Sequence, residues 1–139
     1  MRLERIAIIG AGGMGCSLAA ITAPHVPTVL VVRRPERAER IRRGGIRVEG
    51  ALEAEGRPEV VPHIDHLAAI HPIDLVFIAT KTTAIPEVCR ALRPHLRELP
   101  HLVSYQNGIE PGRTLLRTLG TPRVLRMVLH YGALLREDG

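Results

Sequence analysis

The chain contains a single lysine, a single asparagine and a single glutamine against eighteen arginines. All three rare residues stand where an apolar run gives way to a loop. Lys81 follows Ile73–Thr80, and Gln106-Asn107-Gly108 follows His101–Tyr105. A compact ammonium in a chain that otherwise uses guanidinium suits a site too narrow for arginine. The Asn107 amide can donate to a ribose or substrate oxygen while accepting from a hydroxyl, although Asn-Gly is also a plain turn signal.

A third group of residues opens the chain. Ile6-Ala7-Ile8-Ile9 breaks into Gly10-Ala11-Gly12-Gly13-Met14-Gly15, and the helix-prone run Cys16–Ile21 follows. This is G-x-G-x-x-G in the context that gives it meaning, between a buried strand and a helix. Gly10 permits the tight turn, Gly12 lets backbone approach a pyrophosphate, and Gly15 lets the helix pack on the strand. The phosphates then meet free amides at the positive end of the helix dipole. The chemistry implied is dinucleotide binding.

Which dinucleotide is read about 20 residues further on, where NAD-selective sites place a carboxylate on the ribose hydroxyls. Here the second apolar run, Thr28–Val32, ends in Arg33-Arg34. The nearest acid in sequence, Glu36, follows Pro35 and is expected to face outward. A guanidinium on a 2′-phosphate, at about 1.5–3 kcal/mol for a charged hydrogen bond, favours NADP over NAD by one to two orders of magnitude.

The elements that must position these residues follow from periodicity. Ile6–Gly10, Thr28–Arg33, Ile73–Thr80, His101–Tyr105 and Arg123–Leu129 read as strands. Gly13–Ala23, Pro35–Arg43, Thr83–Arg97 and Glu110–Leu119 read as helices. Ile46–Glu49 alternates like a half-exposed strand, and pairing with Glu59–Val61 is expected across the intervening loop. Strands alternating with helices predict a single α/β domain with a doubly wound, mostly parallel sheet of the Rossmann type. Ligands of such sheets bind beyond the carboxyl ends of the strands, where Lys81 and Asn107 stand.

Composition narrows the alternatives. Hydrophobic residues make up 45% of the chain, but aromatics are limited to one Phe and two Tyr. The core is therefore built from Ile, Val, Leu and Ala, and the stacking platforms of single-strand nucleic-acid binders are missing. Net charge is +5, with seven arginines between Arg33 and Arg47. They cluster at a cofactor position without a DNA or RNA motif, so no nucleic-acid partner is expected. No apolar run reaches the roughly 18 residues of a membrane span, and the first run is unlike a signal peptide. No membrane association and a cytoplasmic location are expected. Cys16 and Cys89 read as buried small residues, and His63, His66 and His71 as surface histidines rather than metal ligands.

Taken together, Ile8–Gly15, Arg33, Ala79-Thr80-Lys81, Gln106-Asn107-Gly108 and His130-Tyr131-Gly132-Ala133 resemble the N-terminal domain of the ketopantoate reductase (2-dehydropantoate 2-reductase) family, across essentially the whole chain. The resemblance implies NADPH-dependent reduction of 2-dehydropantoate, a 2-keto acid, to pantoate in pantothenate biosynthesis. By position, it implies that Gly10, Ala11, Gly12, Gly13, Met14 and Gly15 hold the pyrophosphate and that Arg33 holds the 2′-phosphate. Lys81 and Asn107 are implied at the nicotinamide end, Asn107 also at the substrate, and Ala133 along the cleft. The family's general-acid lysine belongs to a second, helical domain, so no catalytic acid is assigned within these residues. The chain is expected to work with a missing helical domain or a partner chain, as a homodimer in one arrangement, and to bind NADPH without turning over 2-dehydropantoate alone. Turnover by the purified 139-residue chain would overturn that expectation. A related 2-keto acid or polyol dehydrogenase domain and a non-catalytic nucleotide-sensing module remain open alternatives.

Overall fold

The computed structural model of the chain describes residues 2–98 and 101–136. In chain order the elements are β1 (Ile6–Ile9), α1 (Gly13–Thr22), β2 (Thr28–Val31), α2 (Pro35–Gly44), β3 (Ile46–Val48), β4 (Ala54–Gly56) and β5 (Glu59–Val61). They continue with β6 (Leu75–Ile78), α3 (Ile85–Leu92), β7 (His101–Ser104), α4 (Pro111–Leu119) and β8 (Val124–Arg126). Six strands form one parallel sheet in the order β5-β2-β1-β6-β7-β8. The chain winds outward from β1 through β2 to β5, then returns to β6 and winds the other way. This is the doubly wound Rossmann-type sheet, with its reversal between β1 and β6.

Burial on both faces explains the unbroken apolar runs. Along β1, Ala7 and Ile9 face one cluster with Val29, Val31, Val76, Ile78 and the apolar sides of α3 and α4. Ile6 and Ile8 face the other, with Leu30, Val32, Phe77 and Val103 beneath α1 and α2. A strand covered on both sides has no wet face to alternate toward. Among the described residues, no helix is long and apolar enough to cross a membrane.

Three expected elements differ. Glu59–Val61 does not pair with Ile46–Glu49. It joins the edge of the main sheet beside β2 in parallel, with Val29 opposite Glu59, because its adjacent Val60 and Val61 both need cover. The alternating β3 pairs antiparallel with β4 instead and lies on α1. There a Cβ on Gly56 would stand 2.7 Å from the Ala20 carbonyl oxygen. The expected helix Thr83–Arg97 is a 3-10 turn at Thr82–Ala84, then α3, then a second 3-10 turn at Arg93–His95. Arg93 keeps helical backbone, but Pro94 has no amide hydrogen to give the Arg90 carbonyl, so the α-helix stops at Leu92 and the chain tightens into the 3-10 turn. Arg123–Leu129 is reduced to Val124–Arg126, since its partner β7 ends at Ser104 and offers no further ladder.

Candidate functional site

The carboxyl ends of β1 and β6 lie side by side at the sheet's reversal, and the glycine turn is built against that junction. Gly10 has φ of +112°, and a Cβ there would stand 2.8 Å from the Thr80 amide nitrogen. The left-handed backbone and the close neighbour both require glycine. Gly15 is packing rather than lining: its Cβ would fall 1.8 Å from the Gly10 carbonyl oxygen, so α1 rests directly on the turn. Gly12 differs from both. It is the N-cap of α1 with extended backbone, no side chain caps the helix, and no acid occupies the first turn. A Cβ on Gly12 would meet nothing within 4 Å. Open space thus lies over the uncapped amides of a helix N-terminus, the arrangement that suits an anion such as a pyrophosphate.

A cleft of about 1090 Å³ extends from this turn, and it gathers the residues singled out from sequence. Gly10 to Met14, Arg33, Lys81, Asn107 and Ala133 all line it, while Gly15 lies beneath it. Lys81 begins the turn after β6, and its side chain is exposed. Asn107 is exposed at the end of β7. Its neighbour Gln106 is buried and braces the two strand ends, donating from Nε2 to the Thr80 carbonyl oxygen at 2.7 Å and to Thr80 Oγ1 at 3.2 Å. Gln106 Oε1, buried beside the cleft, has no partner.

The segment after β8 crosses the glycine turn. A Cβ on Gly13 would lie 2.1 Å from the Ala133 carbonyl oxygen, so Ala133 touches the turn itself. Hydroxyls fix this crossing: Tyr105 at the end of β7 hydrogen-bonds Tyr131, Tyr131 reaches Ser17 Oγ at 3.3 Å, and Ser17 donates to the Met14 carbonyl oxygen at 2.8 Å. Burial first, and then the hydrogen bond with Tyr131, push the Tyr105 phenol above its ordinary range. It stays protonated and able to donate. Tyr131 was noted only as part of the His130–Ala133 motif, and its link to Tyr105 and Ser17 escaped sequence reasoning because it exists only once the topology brings β7, α1 and the segment after β8 together.

One expectation about charge is corrected. No acid follows Arg33 in sequence at the strand end, but α3 brings Glu87 across the cleft to it. Arg33 Nη1 donates to Glu87 Oε1 at 2.5 Å. Glu36 is exposed, while Arg37 directs Nη2 to the Cys16 thiol at 3.9 Å. Burial raises the Cys16 pKa, and Arg37 opposes this. Cys89 is also raised by burial, with Arg93 opposing. Both thiols are buried and unpaired. The His63 and His66 rings lie 6.0 Å apart, and no group of three His, Cys, Asp or Glu side chains among the described residues could hold a metal.

Set beside known proteins, residues 6–139 match the family model described as ketopantoate reductase PanE/ApbA. A Pseudomonas aeruginosa protein named pyrroline-5-carboxylate reductase is 35% identical over 140 residues, covering 99% of this chain and 47% of that one. A glycerol-3-phosphate dehydrogenase [NAD(P)+] of Pseudomonas syringae pv. tomato is 34% identical over 113 residues, covering 77% of this chain and 31% of that one. The fold is shared with the solved probable 2-dehydropantoate 2-reductase PanE from Bacillus subtilis. There the TM-score is 0.74 at 22% identity, over 96% of this chain and 44% of that one. The chain therefore spans about a third to a half of the length of these relatives.

Proposed function

This chain belongs to the ketopantoate reductase PanE/ApbA family, a family of oxidoreductases, and we propose that it is the part of such a reductase that holds NADPH for delivery to 2-dehydropantoate. The observation that carries the reading is the pairing, in one cleft, of an uncapped α1 with open space at Gly12 and an arginine at the end of β2. The first suits a pyrophosphate and the second a 2′-phosphate.

When bound, the cofactor supplies a hydride to the keto carbon. The chain's own residues bind and orient. The amides of Gly13 and Met14, at the uncapped start of α1, would hold the pyrophosphate, and Arg33 would hold the 2′-phosphate. Lys81 and Asn107, exposed beyond the ends of β6 and β7, would hold the nicotinamide end, with the Asn107 amide also available to substrate. Ala133 keeps the crossing segment against the glycine turn, closing one wall of the cleft. The proton for the developing alkoxide requires a general acid, assigned to the family's helical domain rather than to these residues.

Titration with NADPH and NADH, repeated on Arg33→Ala, tests the assignment. Loss of a charged hydrogen bond predicts at least about tenfold weaker NADPH binding, with NADH less affected. Equal losses for both nucleotides would overturn the role given to Arg33. The relative named glycerol-3-phosphate dehydrogenase supports a second reading, a polyol or other 2-keto acid dehydrogenase using the same cleft. Assaying each substrate with NADPH in the presence of the family's helical domain separates the two.

A further inference from the structure

We propose that Glu87 is a second nucleotide-discriminating residue of this cleft. With Arg33 it forms a donor–acceptor pair that receives the adenosine ribose of either nicotinamide dinucleotide and narrows the preference for the 2′-phosphorylated one. The inference rests on the cofactor reading above.

The two residues come from different walls of the cleft, Arg33 from the end of β2 and Glu87 from the first turn of α3, and they meet at 2.5 Å. Their side chains are 69% and 60% exposed. An ion pair so open to water contributes little to stability, so its importance lies in what it presents to a ligand. The other acid lining the cleft, Asp65, is engaged by His95 Nε2 at 2.8 Å. Arg34, Arg37 and Lys81 supply only positive charge. Glu87 is thus the carboxylate against which a ribose seated on Arg33 would be read.

A guanidinium has five N–H donors, and the Arg33–Glu87 hydrogen bond uses one of them. A 2′-hydroxyl arriving at this pair can donate to the carboxylate and accept from the guanidinium, leaving the pair intact. A 2′-phosphate has only acceptor oxygens to offer once ionised. It is attracted by Arg33 and repelled by Glu87, so the pair must open or the carboxylate must turn away. The preference of one to two orders of magnitude given by a guanidinium alone is reduced accordingly.

NADPH and NADH are titrated into the wild-type 139-residue chain and its Glu87→Gln and Arg33→Ala variants, with thermal melting confirming that each variant is folded. Relief of like-charge repulsion predicts that Glu87→Gln binds NADPH about fivefold tighter. Loss of a charged acceptor predicts that it binds NADH about threefold weaker. Arg33→Ala is expected to shift the ratio the other way. An unchanged NADPH-to-NADH ratio in folded Glu87→Gln, beside a wild type that binds NADPH, would overturn the role of Glu87 alone. Binding of neither nucleotide by the wild type would overturn the cofactor reading and this proposal with it.

Discussion

Gly12→Val is expected to weaken NADPH binding at least about a hundredfold, the loss of one or two charge-assisted hydrogen bonds, while the chain stays folded. The backbone at Gly12, φ −79° and ψ −174°, is extended and open to any residue. A Cβ there meets nothing within 4 Å. Replacing glycine at an N-cap with valine costs about 1 kcal/mol, well inside the 5–15 kcal/mol of a typical domain. The isopropyl group instead fills the space over the uncapped amides of α1, where a pyrophosphate would sit. Fluorescence titration beside a urea melt checks both halves. Unchanged affinity would show that the phosphates bind elsewhere, and an unfolded variant would show that Gly12 is structural.

Gly15→Ala, three residues away, should do the reverse and destabilise the fold by about 3 kcal/mol or more, at the upper end of overpacking effects. Helix propensity alone favours alanine over glycine by about 1 kcal/mol, so the sign of the effect is diagnostic. The added Cβ would fall 1.8 Å from the Gly10 carbonyl oxygen, which cannot retreat. Gly10 is itself fixed by φ of +112° and by the Thr80 backbone 2.8 Å from its would-be Cβ. The helix must therefore lift from the sheet and lose the packing of Cys16, Ala19 and Ala20 against Ile8 and Phe77. The denaturation midpoint reports this directly. A midpoint equal to or above that of wild type would show that α1 and the turn are not pressed together.

The contrast between the two glycines was legible in the sequence, because the spacing leaves Gly12 open at the N-terminus of α1 and presses Gly15 onto the turn. The central strands were legible too, since burial on both faces leaves an unbroken apolar run in β1 and β6. Glu59–Val61 was not. Three residues are too few for a period to reveal a partner, and only the need to cover both Val60 and Val61 sends the strand to the main sheet. The early end of α3 was written in Pro94, against a hydrophobic spacing that carries on to Leu96. Arg33 could be found by counting from the glycines, but Glu87 could not, because its relation to Arg33 depends on how α3 packs across the cleft. The same holds for Tyr105, Tyr131 and Ser17, whose hydroxyls join three separate elements.

The position of β1 in the middle of the sheet also orders events in time. Ile6 is opposite Thr28 on one side and Leu75 on the other, so one flank of the strand can be covered early in synthesis while the other waits for β6. Non-local parallel pairings of this kind form late and leave apolar edges exposed meanwhile. Gly10 gains its backing only when Thr80 arrives. The glycine turn, made before β6, therefore takes its binding shape only once β6 is in place, and a nascent chain that stops short of β6 holds the motif without the site.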